Sequence, residues 1–344
     1  MTRIFPYFCI ALILVLQYQA VAAFCPVVKH KLHRTLSVLS AEAAAPTTPK
    51  GTMVELKNPI TGQQITLIGT AHLSQTSNDQ VKYVIETVKP DAIMIELDPS
   101  RLERIGLTQG DLGTNFGTCE DIEPPLLEDD IEAMQNRPWW RGFTEVCVDS
   151  VAEFARGALT DMYKDMGKTM GKDGLVGGGE FLAAINAAKS NDESSDNGSS
   201  TKIVLGDRSS VVTIKRAVEL AIRSGDPLGA LGRLASANQE ELDKMQDSIR
   251  QDMEGNSMDE SELNVAMVEA LKSDAGFRNR IFSRLEREVP EFTRAFLTER
   301  DYIMAEAIRR ETDAAHVVAV VGLAHVPGMS ANLRASEFQD ANTS

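Results

Sequence analysis

The stretch Val317-Val318-Ala319-Val320-Val321-Gly322-Leu323-Ala324-His325 decides the fold. Five apolar residues in a row, four of them valine, cannot alternate between core and water. They read as a strand buried on both faces, the habit of a parallel sheet covered by helices. A glycine ends the run, where it lets the backbone turn sharply or lets a ligand approach closely. A histidine follows three residues later. The same grammar occurs near the start of the chain, where the strand-like run Ile65-Thr66-Leu67-Ile68 leads into Gly69-Thr70-Ala71-His72. Two further short apolar runs, 92–95 and 203–205, lead into Glu96-Leu97-Asp98 with Arg101 nearby, and into Gly206-Asp207-Arg208. Open α/β sheets bind ligands beyond the carboxyl ends of their strands, and polar residues gather here at four such ends.

Between these runs the pattern turns helical. Val81, Val84, Ile85 and Val88 share one face of a helix predicted over 79–88, which Pro90 terminates. Residues 53–56 and 64–68 flank the turn-rich Asn58-Pro59-Ile60-Thr61-Gly62 and predict a hairpin. Further helices are expected at 139–170, 180–188, 211–223, 239–253, 261–273, 277–288 and 291–312, with Pro290 at the first turn of the last. Residues 106–138 read as an irregular acidic surface excursion, and the polar tract 190–201 as a loop. The sum is an α/β fold: a mostly parallel sheet flanked by helices, with a large helical segment inserted before the last strand at 317–321.

The chain has 344 residues and a formal net charge of −15, which is unevenly spread. Residues 1–50 hold five Lys and Arg against the single acid Glu42 and so carry +4, leaving −19 on 51–344. So acidic a body excludes phosphate-driven nucleic-acid binding. Four cysteines without a CxxC pair exclude a disulfide scaffold or a zinc ribbon, and Cys119 and Cys147 lack a basic activating neighbour in sequence. The glycine-rich 167–179 stretch lacks the layout of a nucleotide phosphate loop, and Trp139-Trp140 reads as a packing anchor. Arg3, an apolar run over 4–16 and small residues up to Ala23 have the layout of a signal peptide. The basic, serine-containing segment 24–50 that follows is transit-peptide-like and ends in a linker. Ala23-Phe24-Cys25-Pro26 at the junction is similar to the bipartite plastid presequences of algae with secondary plastids; plain secretion is the alternative. Beyond it, no stretch is long enough to span a membrane, and 51–335 would form the domain, with 336–344 a tail.

After removal of such a presequence only His72, His316 and His325 remain, and two of the three follow a strand-end glycine. His72, His325, Glu96 and Asp207 make a plausible set of imidazole and carboxylate ligands for a divalent ion such as Mn, Co or Zn. Without metal, one histidine would act as a general base oriented by Glu96 or Asp207. A third reading has each histidine merely hydrogen-bonding at a strand end. Arg101 and Arg208 suit either an anion clamp in the site or ion pairs that hold Glu96 and Asp207 in place. Glu180 opens a helix after Gly177-Gly178-Gly179, as a site acid or as an acid favoured by the helix dipole. Glu299-Arg300-Asp301 lies mid-helix, where a solvated face is the default and a role reaching the site the alternative.

Taken together, these motifs resemble the TraB-domain family. The resemblance is carried by Gly69 to Ser74, Val88 to Asp98 with Arg101, Gly179-Glu180-Phe181-Leu182, Gly206-Asp207-Arg208 with Thr213 and Arg216, Glu299-Arg300-Asp301-Tyr302, and Val320 to Met329. It runs in order over about residues 52–335. The family includes plasmid pheromone-shutdown proteins and is distantly similar to the TIKI metalloproteases, which share the two Gly-x-x-His motifs and an acid after a strand. The resemblance implies metal-dependent cleavage of peptides by His72, Glu96 and His325, with a peptide or small molecule as substrate. A non-catalytic module that binds a peptide or partner is the alternative.

Overall fold

The computed structural model describes residues 52–70, 75–135, 178–194, 200–237, 239–252 and 273–341, with isolated positions 266 and 270. The presequence, His72, Cys147, the helix expected at 139–170 with Trp139-Trp140, and most of that expected at 261–273 lie outside the described residues.

Seven strands form one sheet in the order β4-β5-β3-β6-β2-β1-β7. They are β1 Met53–Lys57, β2 Gln64–Thr70, β3 Ala92–Ile95, β4 Phe116–Thr118, β5 Lys202–Leu205, β6 His316–Gly322 and β7 Gln339–Asp340. The five strands from β4 to β2 pair in parallel, while β1 pairs antiparallel with β2 and β7. β6 lies between β2 and β3, with Thr70 opposite Gly322 and Ile95 opposite Val320. The chain therefore leaves both Gly-x-x-His strands side by side at the carboxyl edge.

Successive side chains of a strand point to opposite faces, so an unbroken apolar run supplies two cores. Val317, Ala319 and Val321 join Leu67, Met94, Met304, Ile308 and Met329 on one face. Val318 and Val320 join Ile68, Ile93, Ile95, Val81, Ile85 and Phe181 on the other. The second face is covered by α1 Gln75–Val88 and α3 Gly179–Glu193, the first by α9 Glu299–Arg309 and α10 Val326–Ala335. Each large apolar side chain so buried contributes about 1.5–3 kcal/mol. Between β5 and β6 lie α4 Ser210–Arg223, α5 Pro227–Ser236, α6 Gln239–Asp252, α7 Ala275–Glu288 and α8 Pro290–Thr293. A π-helical turn, Arg294–Thr298, joins α8 to α9. Helices α4, α5 and α8 share a separate apolar cluster around Ile214, Val218, Ala230 and Phe292. Among the described residues no helix is long and apolar enough to cross a membrane.

Four departures from the sequence-based expectation have physical reasons. Within the excursion expected at 106–138, the described residues 106–135 carry regular elements. They include the 3-10 turn Gln109–Leu112, the edge strand β4 and helix α2 Glu128–Gln135. β4 has three residues with glycine at its centre, too few for a periodic signal. Helix α5 was hidden by its two glycines, although Asp226 caps it by accepting the Gly229 N–H at 3.0 Å and Pro227 opens it. Helix α1 begins at Gln75, a turn earlier than its apolar face suggests. Residues 336–340 are not a loose tail, since Phe338 is buried in the first core and β7 pairs with Leu56 and Lys57.

Gly206, just past β5, lies close against β3. A Cβ there would lie 2.3 Å from Met94 Sδ. Gly206→Ala is expected to lose about 1–3 kcal/mol by overpacking, read as a lower urea midpoint at unchanged m-value. An unchanged midpoint would show that Met94 yields freely.

Candidate functional site

The strand order determines which polar residues meet. Glu96 leaves β3 between its neighbours β5 and β6, so it faces Asp207 on one side and Gly322 on the other. The Gly322 N–H donates to Glu96 Oε2 at 2.5 Å, and the Glu96 N–H donates to the Val320 carbonyl at 3.1 Å. Glu96 and Asp207 are both buried. Two adjacent buried carboxylates repel unless a cation lies between them. Arg300 of α9 supplies it: Nε and Nη2 donate to the two Asp207 oxygens at 2.8 and 2.9 Å, and Nη2 also reaches Glu96 Oε1 at 2.5 Å. Its Nη1 donates to the Phe296 carbonyl at 3.0 Å.

Arg101 comes from the 3-10 helix Pro99–Ile105, which Asp98 caps by accepting the Ser100 N–H at 2.9 Å. Arg101 Nη2 donates to the Glu96 carbonyl and to Asp207 Oδ2, each at 2.6 Å. Its Nε lies 2.9 Å from Asp98 Oδ2, but the geometry between them does not form a hydrogen bond, so that contact is an ion pair only. The Arg101 side chain is 22% exposed, against 12% for Arg300 and 2% for Asp207. It is the most open member of this set. Burial alone would raise the Asp207 carboxyl; the Arg300 and Arg101 guanidiniums overcome that and hold it below its usual value.

His325 follows β6 and caps α10, its N–H donating to the Gly322 carbonyl at 2.9 Å. The ring is buried between two carboxylates, with Nδ1 2.6 Å from Asp301 Oδ1 and Nε2 3.3 Å from Glu96 Oε1. Burial lowers its basicity, but the Glu96 charge and the Asp301 hydrogen bond outweigh burial and raise its pKa to about 9. The ring is therefore an imidazolium at neutral pH, with a proton on each nitrogen. Burial raises the Asp301 carboxyl, against the opposing pull of His325. Gly328, in the first turn of α10, makes room for that carboxylate, since a Cβ there would meet Asp301 Oδ2 at 1.9 Å.

The other sequence candidates occupy distinct places. The Arg208 side chain forms an ion pair with neither Glu96 nor Asp207. Its Nη1 donates to Glu299 Oε2 at 2.9 Å and its Nη2 to the Ala295 carbonyl at 2.8 Å, while its backbone N–H donates to Asp207 Oδ1 at 2.8 Å. Glu180 is buried in the first turn of α3, where Gly179 packs on Asn78 of α1. His316 opens β6 at the opposite, amino edge, its Nε2 2.9 Å from Thr66 Oγ1. Burial pushes the Cys119 thiol up to about 12, and the nearby Asp207 charge adds to it, so this thiol is inert.

Glu299, Arg300 and Asp301 are three consecutive residues turned inward; both acids are 5% exposed. A helical wheel leaves at least one of three neighbours facing solvent, which made a solvated face the default. A π-helical turn precedes them, and all three are buried because partners flank this turn on several sides: Arg216 at Glu299, the strand-end acids at Arg300 and His325 at Asp301. The sequence signal was the presence of two acids and an arginine among the otherwise apolar Phe292, Phe296, Ile303 and Ala307.

The arrangement can be tested against a divalent ion. Two ligands at about 2.0–2.1 Å from a tetrahedral ion stand roughly 3.3–3.4 Å apart. His325 Nε2 and Glu96 Oε1 stand 3.3 Å apart, and the Asp301 bond to Nδ1 is the outer carboxylate contact that metal-bound histidines use. The spacing of these two residues matches one edge of such a site, with Glu96 Oε1 also accepting from Arg300 Nη2. Asp207 fits less well, with both oxygens engaged by arginines. Among the described residues no group of three metal-ligating side chains is found, and His72 is not among them.

The TraB/PrgY/gumN family model matches residues 215–339 of the chain. Two relatives named TraB domain-containing protein, from Homo sapiens and Mus musculus, are each 24% identical over 292 residues, covering 79% of this chain. The chain spans 63% of the length of these curated relatives.

Replacing Arg300 by Gln should remove the cation that Glu96 and Asp207 share, leaving Asp207 with Arg101 alone, and cost about 3–5 kcal/mol near neutral pH. Asp207 has a depressed folded value, so its contribution is full above its unfolded value of about 3.9 and is lost as pH falls through the folded one. The gap between wild type and Arg300→Gln should therefore narrow as the medium is acidified below about pH 4. Urea melts across pH measure this, and a constant gap would contradict it.

Proposed function

We propose that this chain, which the TraB/PrgY/gumN family model matches over residues 215–339, is a metal-dependent hydrolase acting on peptides, with its site at the carboxyl edge of the sheet. The observation that carries the reading is the buried His325 ring, oriented by Asp301 and facing Glu96 across 3.3 Å. His325 and Glu96 would hold the ion, with His72 as the third ligand. When bound, Mn, Co or Zn would supply Lewis-acid polarisation of the scissile carbonyl. The peptide class follows from the resemblance to the TIKI metalloproteases.

The roles of the surrounding residues follow from their contacts. Asp301 holds the Nδ1 proton of His325 and so turns Nε2 toward Glu96. The Gly322 N–H and Arg300 fix the two Glu96 oxygens. Asp207 anchors Arg300 and Arg101 and is a positioning group on this reading. Arg101, the most open cation of the cluster, meets the substrate and balances developing negative charge. Arg208 steadies Glu299 at the start of α9, and Glu180 borders the same edge.

A second reading is a binding module without turnover. It is favoured by the saturation of Glu96 and Asp207 with guanidinium contacts, which suits a fixed structural lock.

The test uses the full-length chain. Equilibrium dialysis against Mn, Co and Zn should show metal retention by wild type. His325→Ala and His72→Ala should each weaken it by about 10–100-fold. A broad peptide library read by mass spectrometry should give cleavage products that vanish with a chelator. Equal metal retention by wild type and both variants would sink the metal reading. Retained but uncleaved peptides would favour the binding module.

The presequence reading extends the proposal to location, namely a plastid reached through the secretory pathway. Residues 1–50 fused to a fluorescent protein should direct it to the plastid of a diatom-like alga. Secretion of the fusion would support plain export instead.

A further inference from the structure

Beside the site lies a second charged cluster that the proposed chemistry does not use. Arg216 and Arg223 project from α4, and Arg294 from the π-helical turn after α8. These elements are fastened to one another by the apolar cluster of Ile214, Val218, Leu220, Val289 and Phe292, so the arginines stand on a packed base. Glu299 presets two of the three: Arg216 Nε lies 2.9 Å and Arg294 Nε 3.2 Å from Glu299 Oε1. With their Nε edges held, their terminal nitrogens reach outward together.

Helix α2 fills the space they face. Asp130 Oδ1 accepts from Arg216 Nη2 at 2.6 Å and from Arg223 Nη1 at 2.7 Å, while Asp130 Oδ2 pairs with Arg294. Asp129 Oδ2 accepts from Arg223 and from Arg294, each at 2.9 Å. Asp130 is the one buried position among the described side chains of α2, and Ile131 is 44% exposed. None of the described α2 side chains joins an apolar cluster. Leu126 and Leu127 just before it are also exposed. An amphipathic helix normally docks by its apolar stripe; this one turns its acids inward.

We infer that Arg216, Arg223 and Arg294 form a preset socket for acidic peptides, and that Asp129 and Asp130 of α2 occupy it as a displaceable in-chain ligand. Three converging guanidiniums, presented as forks to two successive carboxylates, recognise adjacent acidic residues rather than a lone charge. The socket is coupled to the candidate site by chain continuity, since Glu299 precedes Arg300, and Arg208, which pairs with Glu299, follows Asp207. The inference does not depend on metal binding or on turnover.

The test uses a fluorescent peptide of residues 126–133, LLEDDIEA, and the full-length protein. An in-chain ligand competes at an effective concentration on the order of millimolar, so wild type should bind the free peptide weakly. The double substitution Asp129→Asn with Asp130→Asn should bind it at least about tenfold more tightly than wild type. Adding Arg223→Ala should reverse that gain, and a peptide with asparagine at both acidic positions should not bind. Equal binding by wild type and the double variant, or displacement of the peptide by inorganic phosphate at matching concentration, would overturn the inference. Hydrogen exchange of unmodified protein covers the case in which the variant misfolds. Protection over 128–135 should fall in ~1 M NaCl, where screening reaches about 3 Å, while α4 stays protected. Protection of α2 that is indifferent to salt would also overturn it.

Discussion

The Arg300 guanidinium lies between two carboxylates, Glu96 and Asp207, that the parallel sheet delivers side by side. Burial and mutual repulsion both disfavour two adjacent carboxylates, and Arg300 offsets this for the pair while Arg101 adds a second cation at Asp207. Arg300 in turn must descend from α9, and α9 must lie over the strand ends for its fork to reach both acids. The first core sets that placement, through Met304, Ile308 and their contacts with the sheet. A π-helical turn leads into α9. The site's charge pattern and the packing of the upper helical layer are thus a single constraint.

The next residue along the same helix does the complementary work. Asp301 points about 100° away from Arg300 and holds His325. Gly328 admits it against the first turn of α10, where the helix N-terminus favours negative charge. Glu299, one residue earlier, faces the arginines of α4 and of the π-helical turn. Three consecutive side chains therefore connect the strand-end acids, the buried imidazole and the arginine cluster. Displacement of α9 would be felt at all three.

The parallel core was legible in the sequence because its signal is local. A run such as 317–321 has no amphipathic reading, and glycine followed by polar residues marks where it stops. The same locality brought Glu96, Asp207 and His325 into view as strand-end residues. What escaped depended on distant geometry. Arg300 and Asp301 look solvent-facing on an ideal helical wheel, and they are buried because partners distant in sequence surround that turn of α9. Arg208 stands next to Asp207 in sequence, which suggested a clamp, yet its side chain turns to Glu299, 91 residues away. β4 and α2 are short, and α2 buries an acid where a pattern search expects an apolar residue.

The most direct measurement is nitrogen-resolved NMR of the His325 imidazole in metal-free protein, followed by addition of zinc. A ring held between Asp301 and Glu96 should carry protons on both nitrogens at neutral pH and titrate near 9. Zinc should then displace the Nε2 proton while Nδ1 stays bonded to Asp301. A ring that is neutral at pH 7, titrating at or below the ordinary histidine value of about 6.5, would contradict the buried charge arrangement. A doubly protonated ring that zinc leaves unchanged would uphold the arrangement and contradict the metal site.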